Sequence, residues 1–328
     1  MAACGALRAA AICLLAAELA GAQTVSPPAE AQSPPRFTSS VDLVSVAAVV
    51  RDRRGRFVPD LSREDFEVVE GGERRPIVGF EFEKDGPVRL ALLIDISGSM
   101  RVGTKVADAK QTARHLLGAL RPADRAALFT FDTGLDRVHD FTADFGAVDR
   151  SLEIVQPPYG QTSLYDAIAQ TARMVAGKDG SGSRAQRSAL VVVTDGIDTK
   201  SRLTPGQVSG IASNIDVPVY IIAVMSPIDD PRNADDDRAS SSVLVSSALR
   251  DLARWTGGEL FTSSTPAHAS VAARQLIAEM RNQYLLAFEA STREGWRPLE
   301  VRARHRDHVV RARSGYTAGG GRTSPSMN

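Results

Sequence analysis

Cysteine is nearly missing: the 328 residues contain two, Cys4 and Cys13, both near the start of the chain. If that stretch is removed, disulfide stapling, thiolate metal ligation and cysteine catalysis are excluded together. An excess of either charge is missing too. Lys+Arg and Asp+Glu are each 39, so no global field favours nucleic acid or an acidic membrane. No Gly-x-Ser-x-Gly elbow and no phosphate-binding loop is present. The five histidines, His115, His139, His268, His305 and His308, read as surface residues, and their spacing does not provide a zinc set.

The first stretch reads as a secretory signal over 1–22. Arg8 gives a weak positive start, Ala9 to Ala17 a short apolar core, and Ala20-Gly21-Ala22 a small-x-small cleavage pattern that leaves Gln23 as the mature start. Glu18 interrupts the run, which is shorter than the ~20 residues a spanning helix needs. The alternative is an uncleaved anchor. Export is expected, with no integral membrane segment after cleavage. Residues 23–36, rich in Pro, Ala, Ser and Gln, read as a flexible leader.

The body changes character twice. Over 37–86, Val41 to Val50, Phe66 to Glu70 and Ile77 to Phe82 read as strands, with a turn at Arg53-Arg54-Gly55-Arg56. This β unit is too small to bury a good core alone. From 87 to 282, apolar strands alternate with amphipathic helices. Arg89 to Ile96, Arg125 to Phe131 and Ala189 to Val193 are the clearest strands, Thr104 to Leu120 and Ala267 to Met280 the clearest helices. That alternation predicts βαβ units and a doubly wound, mostly parallel sheet. Over 283–317 the pattern is β again. These strands are expected to pair with the N-terminal ones, so that the α/β domain is an insertion in a β-sandwich built from both flanks. The acidic loop Asp229 to Asp237 reads as a solvated surface, a secondary calcium site or a partner contact. Residues 318–328 read as a disordered tail.

The strand Leu90 to Ile94 runs into Asp95-Ile96-Ser97-Gly98-Ser99. Its polar residues therefore sit past the carboxyl end of a buried strand, where open α/β sheets bind ligands. Oxygen side chains at alternating positions on a Gly-containing turn can converge on a hard divalent cation. Thr162 precedes a helix and reads either as an outward-facing hydroxyl or as an N-cap. Asp195, in Thr194-Asp195-Gly196, reads either as a site acid or as a turn former. Asp132 ends the next strand and reads either as an acid supporting the site or as a capping acid, Asp198 reads in the same two ways, and both stay outside the ligand set.

Asp95-x-Ser97-x-Ser99, then Thr162 before Leu164-Tyr165-Asp166-Ala167, then Asp195 in Thr-Asp-Gly together resemble the metal-ion-dependent adhesion site of the von Willebrand factor type A domain. The flanks, including Val41-Asp42-Leu43-Val44 and Gly315-Tyr316, resemble a group of exported bacterial proteins of that family. Gln161 stands where a glycine is common. The resemblance implies that Ser97, Ser99 and Thr162 bind the ion directly, with Asp95 and Asp195 acting largely through water. It implies Mg²⁺, with Mn²⁺ or Ca²⁺ possible, and a protein partner that offers an Asp or Glu carboxylate. The expected function is an exported, non-enzymatic adhesion-type module. The alternative is an assembly component of a cell-envelope complex in which the metal stabilises the fold.

Overall fold

The computed structural model describes residues 43–156, 160–176, 187–225 and 247–318. The signal and leader segments, the Pro157-Pro158 stop, the Gly180 to Ser183 loop, the acidic loop and the tail beyond 318 lie outside the described residues. Among those described, no helix is long and apolar enough to cross a membrane.

Strands β1 (Leu43–Arg51), β2 (Phe66–Glu70), β3 (Glu73–Arg75) and β4 (Ile77–Glu83) come first. The α/β part follows with β5 (Val88–Asp95), α1 (Lys105–Gly118), β6 (Arg125–Phe131), β7 (Leu135–Thr142), α2 (Phe145–Ile154), α3 (Leu164–Val175) and β8 (Arg187–Thr194). It continues with α4 (Pro205–Asn214), β9 (Val219–Val224), α5 (described over 247–255), β10 (Leu260–Ser263) and α6 (Pro266–Arg281). Strands β11 (Gln283–Glu289), β12 (Gly295–Ala303), β13 (Val309–Ala312) and β14 (Gly315–Ala318) close the described chain.

The α/β sheet has the order β10-β9-β8-β5-β6-β7, parallel except for the antiparallel edge strand β7. Every residue of β5 is buried, as expected for a strand covered on both faces. Its side chains alternate between the two cores. Leu90, Leu92 and Ile94 pack with α1, α2 and α6, whereas Ala91 and Leu93 pack with α3, α4 and α5. From β5 the chain steps through α1 to β6, and later returns through α3 to β8 on the other side of β5. Helices therefore leave the sheet on opposite faces beside the end of β5, which opens a crevice there.

Both flanks build both sheets of the sandwich. One is β13-β1-β11-β4 and the other β14-β12-β2-β3, with antiparallel pairing throughout. The expected insertion has a simple geometry. Gln283, the first residue of β11, pairs with Glu83, the last of β4, so the α/β part leaves and re-enters the sandwich at adjacent points. The buried Tyr284 ring lies within 6.0 Å of the rings of Phe57, Phe66, Phe80 and Phe82. Its hydroxyl donates to Val58 O at 2.8 Å. A further seam carries a groove lined by Gly206, Ser209, Gly210, Trp255, Trp296 and Ser314.

The entry and exit of the α/β part are clamped by one buried acid. Asp124 accepts from the Val88 amide at 2.9 Å, at the start of β5, and from the Arg121 amide at 2.6 Å. Arg281, the last residue of α6, donates to both of its carboxylate oxygens, at 3.1 and 2.5 Å. Arg281→Met leaves this carboxylate buried without its cation and is expected to cost about 3 kcal/mol, read as a lower urea midpoint. Arg281→Met with Asp124→Asn is expected to recover part of that loss.

Candidate functional site

Asp95 ends β5 fully buried, and both of its oxygens are engaged. Oδ1 accepts from the Ser97 amide at 2.9 Å, and Oδ2 accepts from the Thr194 hydroxyl at 2.6 Å. Because β5 and β8 pair in parallel up to Ile94–Val193, Thr194 comes level with Asp95 across the ladder. The Ser97 and Ser99 hydroxyls lie 3.1 Å apart, as alternate positions on a tight turn should. The turn continues as a single 3-10 turn over Gly98–Arg101.

Thr162 arrives on a separate loop that two contacts fix. The Gly98 amide donates to Gly160 O at 3.0 Å, binding the Thr162 loop to the serine turn. A Cβ built on Gly98 would lie 3.0 Å from that same oxygen, so the close approach calls for glycine. On the other side, the Thr162 amide donates to the Thr199 hydroxyl at 2.9 Å, and Thr162 O accepts from the amides of Thr199 and Lys200 at 3.0 and 2.8 Å. Thr162 itself is buried. It does not cap α3: the N-cap is Ser163, and the Leu164 amide donates instead to Asp198 Oδ1 at 2.8 Å. Asp198 is thus a helix anchor, also accepting from the Ser201 hydroxyl at 2.6 Å. Asp132 is a turn anchor, accepting from the Gly134 amide at 2.9 Å.

Asp195 forms the turn that its sequence context allowed, and it also meets a cation of the chain itself. Oδ1 accepts from the Ile197 amide at 3.3 Å across the turn at Gly196, whose φ is +83°. Oδ2 accepts from Lys105 Nζ at 3.0 Å. Sequence reasoning missed Lys105, Thr194 and Thr199. Thr194 carried a signal, since a hydroxyl ending a central strand beside a buried acid has little other use there.

The loops of β5, β8 and α3 are therefore tied together at the switch point by hydrogen bonds that run through or beside all five predicted residues. Among the described residues, no group of three or more His, Cys, Asp or Glu could hold a metal ion. The candidate donors are of another kind: the hydroxyls of Ser97, Ser99 and Thr162 and the carboxylates of Asp95 and Asp195. They suit a hard cation that prefers oxygen ligands and keeps several waters. Asp95 is compatible with that use, because it is a buried acid whose charged form a nearby cation would favour. Burial pushes its carboxyl from 3.8 up to about 7, and the Asp195 charge adds to this against the hydrogen bonds from Thr194 and Ser97.

A raised carboxyl pKa means that the folded chain binds a proton more tightly than the unfolded chain. Without metal, stability is fully present below about 4 and falls as pH rises toward about 7. In EDTA the Asp95 contribution to the melting temperature, read as wild type against Asp95→Asn, is expected to decline across that window. A difference between the two proteins that stays unchanged through a pH series of melts would refute this account.

No curated protein matches the chain. Solved structures similar to it include BatB from Bacteroides thetaiotaomicron, at 18% identity over 59% of this chain and 98% of that one, with a TM-score of 0.46. A von Willebrand factor type A protein from Catenulispora acidiphila matches at 14% identity over 74% and 73%, with a TM-score of 0.46. The pilus adhesin SpaC from Lactobacillus rhamnosus GG, in an open conformation, matches at 9% over 77% and 47%, with a TM-score of 0.45. Residues 90–197 match the model of the von Willebrand factor type A domain. That segment, which contains Asp95, Ser97, Ser99, Thr162 and Asp195, belongs to the von Willebrand factor type A domain family.

Proposed function

We propose that this chain is an exported binding module that captures an acidic side chain of a partner protein through a divalent cation, Mg²⁺ foremost. One observation supports the reading: two shielded carboxylates end the adjacent parallel strands β5 and β8, beside the Ser97–Ser99 turn and the Thr162 loop that the Gly98 amide ties to it. Ser97, Ser99 and Thr162 would hold the ion directly. Asp95 and Asp195 would supply charge and orient water from beneath. Because neutral hydroxyls dominate the direct set, a bound Mg²⁺ would remain electrophilic and accept an outside carboxylate as a further ligand.

The reading is non-enzymatic. Both Asp95 oxygens are engaged by Thr194 and Ser97, and Asp195 is held by Lys105 and the Ile197 amide. That both acids serve the fold's own hydrogen bonds supports a binding rather than a catalytic use. Export, to the periplasm, cell surface or outside, rests on the signal features of residues 1–22. A second reading, an envelope assembly component whose metal stabilises the fold, draws on the way the Thr162 loop ties two other loops together.

Calorimetric titration is expected to show Mg²⁺ or Mn²⁺ binding that Asp95→Ala and Thr162→Ala each abolish. Unchanged binding in both variants would remove the site. Partner capture that EDTA reverses supports the adhesion reading. Capture that persists in EDTA, with a lowered melting temperature, supports the structural one.

A further inference from the structure

Lys105 is the first residue of α1. That end of a helix carries the positive pole of its dipole, so it is an unfavourable place for a cation. The side chain is also only 3% exposed, and burying an ammonium is costly unless an anion compensates it. Were packing the sole demand at this position, an aliphatic side chain would meet it at lower cost. What the ammonium meets is Asp195 Oδ2 at 3.0 Å, on a side chain itself 2% exposed.

We infer that Lys105 is a built-in counter-cation that shares Asp195 with the divalent ion and sets how tightly that ion is held. This rests on the metal-site reading above and adds its regulation. Asp95 and Asp195 together offer the site its negative charge. Lys105 neutralises part of it in place and adds a nearby positive charge that opposes a second cation. The same ammonium leaves the loaded site short of negative charge, which strengthens its hold on an incoming carboxylate. Lys105 thus weakens metal binding and favours ligand binding.

The test uses the full chain as wild type, Lys105→Met, Lys105→Gln and, as a control for net charge, Lys110→Met. Lys110 lies on the same helix and donates to Glu153 O at 2.8 Å, away from the site. In calorimetric titration with Mg²⁺ and Mn²⁺, both Lys105 variants are expected to bind about ten-fold tighter or more, while Lys110→Met matches wild type. In melts, both Lys105 variants are expected to fall below wild type in EDTA and to recover in excess Mg²⁺, because the ion then replaces the missing charge. Metal binding by the neutral variants but not by wild type would support the inference in its strongest form. Folding of those variants only with Mg²⁺ would also support it. Wild-type binding with unchanged or weaker affinity in both variants overturns the role of Lys105 and leaves the site standing. Misfolding of both variants with and without metal also overturns it, making Lys105 a structural residue. Binding by none of the proteins overturns the site reading together with this one.

Discussion

Two carboxylates shielded from water at the ends of neighbouring parallel strands are the constraint to which the rest of the α/β part answers. Burial raises the cost of charging Asp95, and the Asp195 charge adds to it. The chain answers with the Thr194 hydroxyl, the Ser97 amide and the Lys105 ammonium. Thr194 reaches Asp95 because the β5–β8 ladder holds the two strand ends level. The apolar run Leu90–Ile94 of β5 and the valine run of β8 bury that ladder on both faces. In this way an apolar core decides where a polar site can exist.

The sandwich settles a separate problem. Eight short strands taken from the two flanks form two sheets, and neither flank could bury a core by itself. Pairing β11 with β4 lets the α/β part be spliced in without a long linker, since its entry and exit strands are neighbours. Asp124 then serves both ends at once, holding the Val88 amide and the Arg281 guanidinium. A network of Arg51 and Arg311 with Glu259 and Glu279 adds charge pairing between β1, β13 and the last helical region.

Much of this was legible in the chain itself, because the periodicities are clean. Alternation marked β12, continuous apolar runs marked β5 and β8, and helical spacing marked α1. The sequence did not announce β3, Glu73–Arg75, whose three residues lack an apolar side chain. Nor did it announce β14, which pairs with β12 over four residues. Spacing on the turn singled out Asp95, Ser97 and Ser99, and Thr162 and Asp195 joined them only through the family resemblance. Whether Thr162 capped a helix was not legible, because that turned on Asp198 taking the Leu164 amide from a distant loop. Lys105 looked like an ordinary helix start next to Thr104. Only the fold reveals that its side chain turns inward to an acid 90 residues away.

The groove on the sandwich seam has a spectroscopic consequence. The chain contains two tryptophans, and both, Trp255 from α5 and Trp296 from β12, line that one groove. All indole emission therefore comes from the seam where the inserted part meets the sandwich, and none from the strand ends at Asp95 and Asp195. A tryptophan signal from this protein watches its joint rather than its grip.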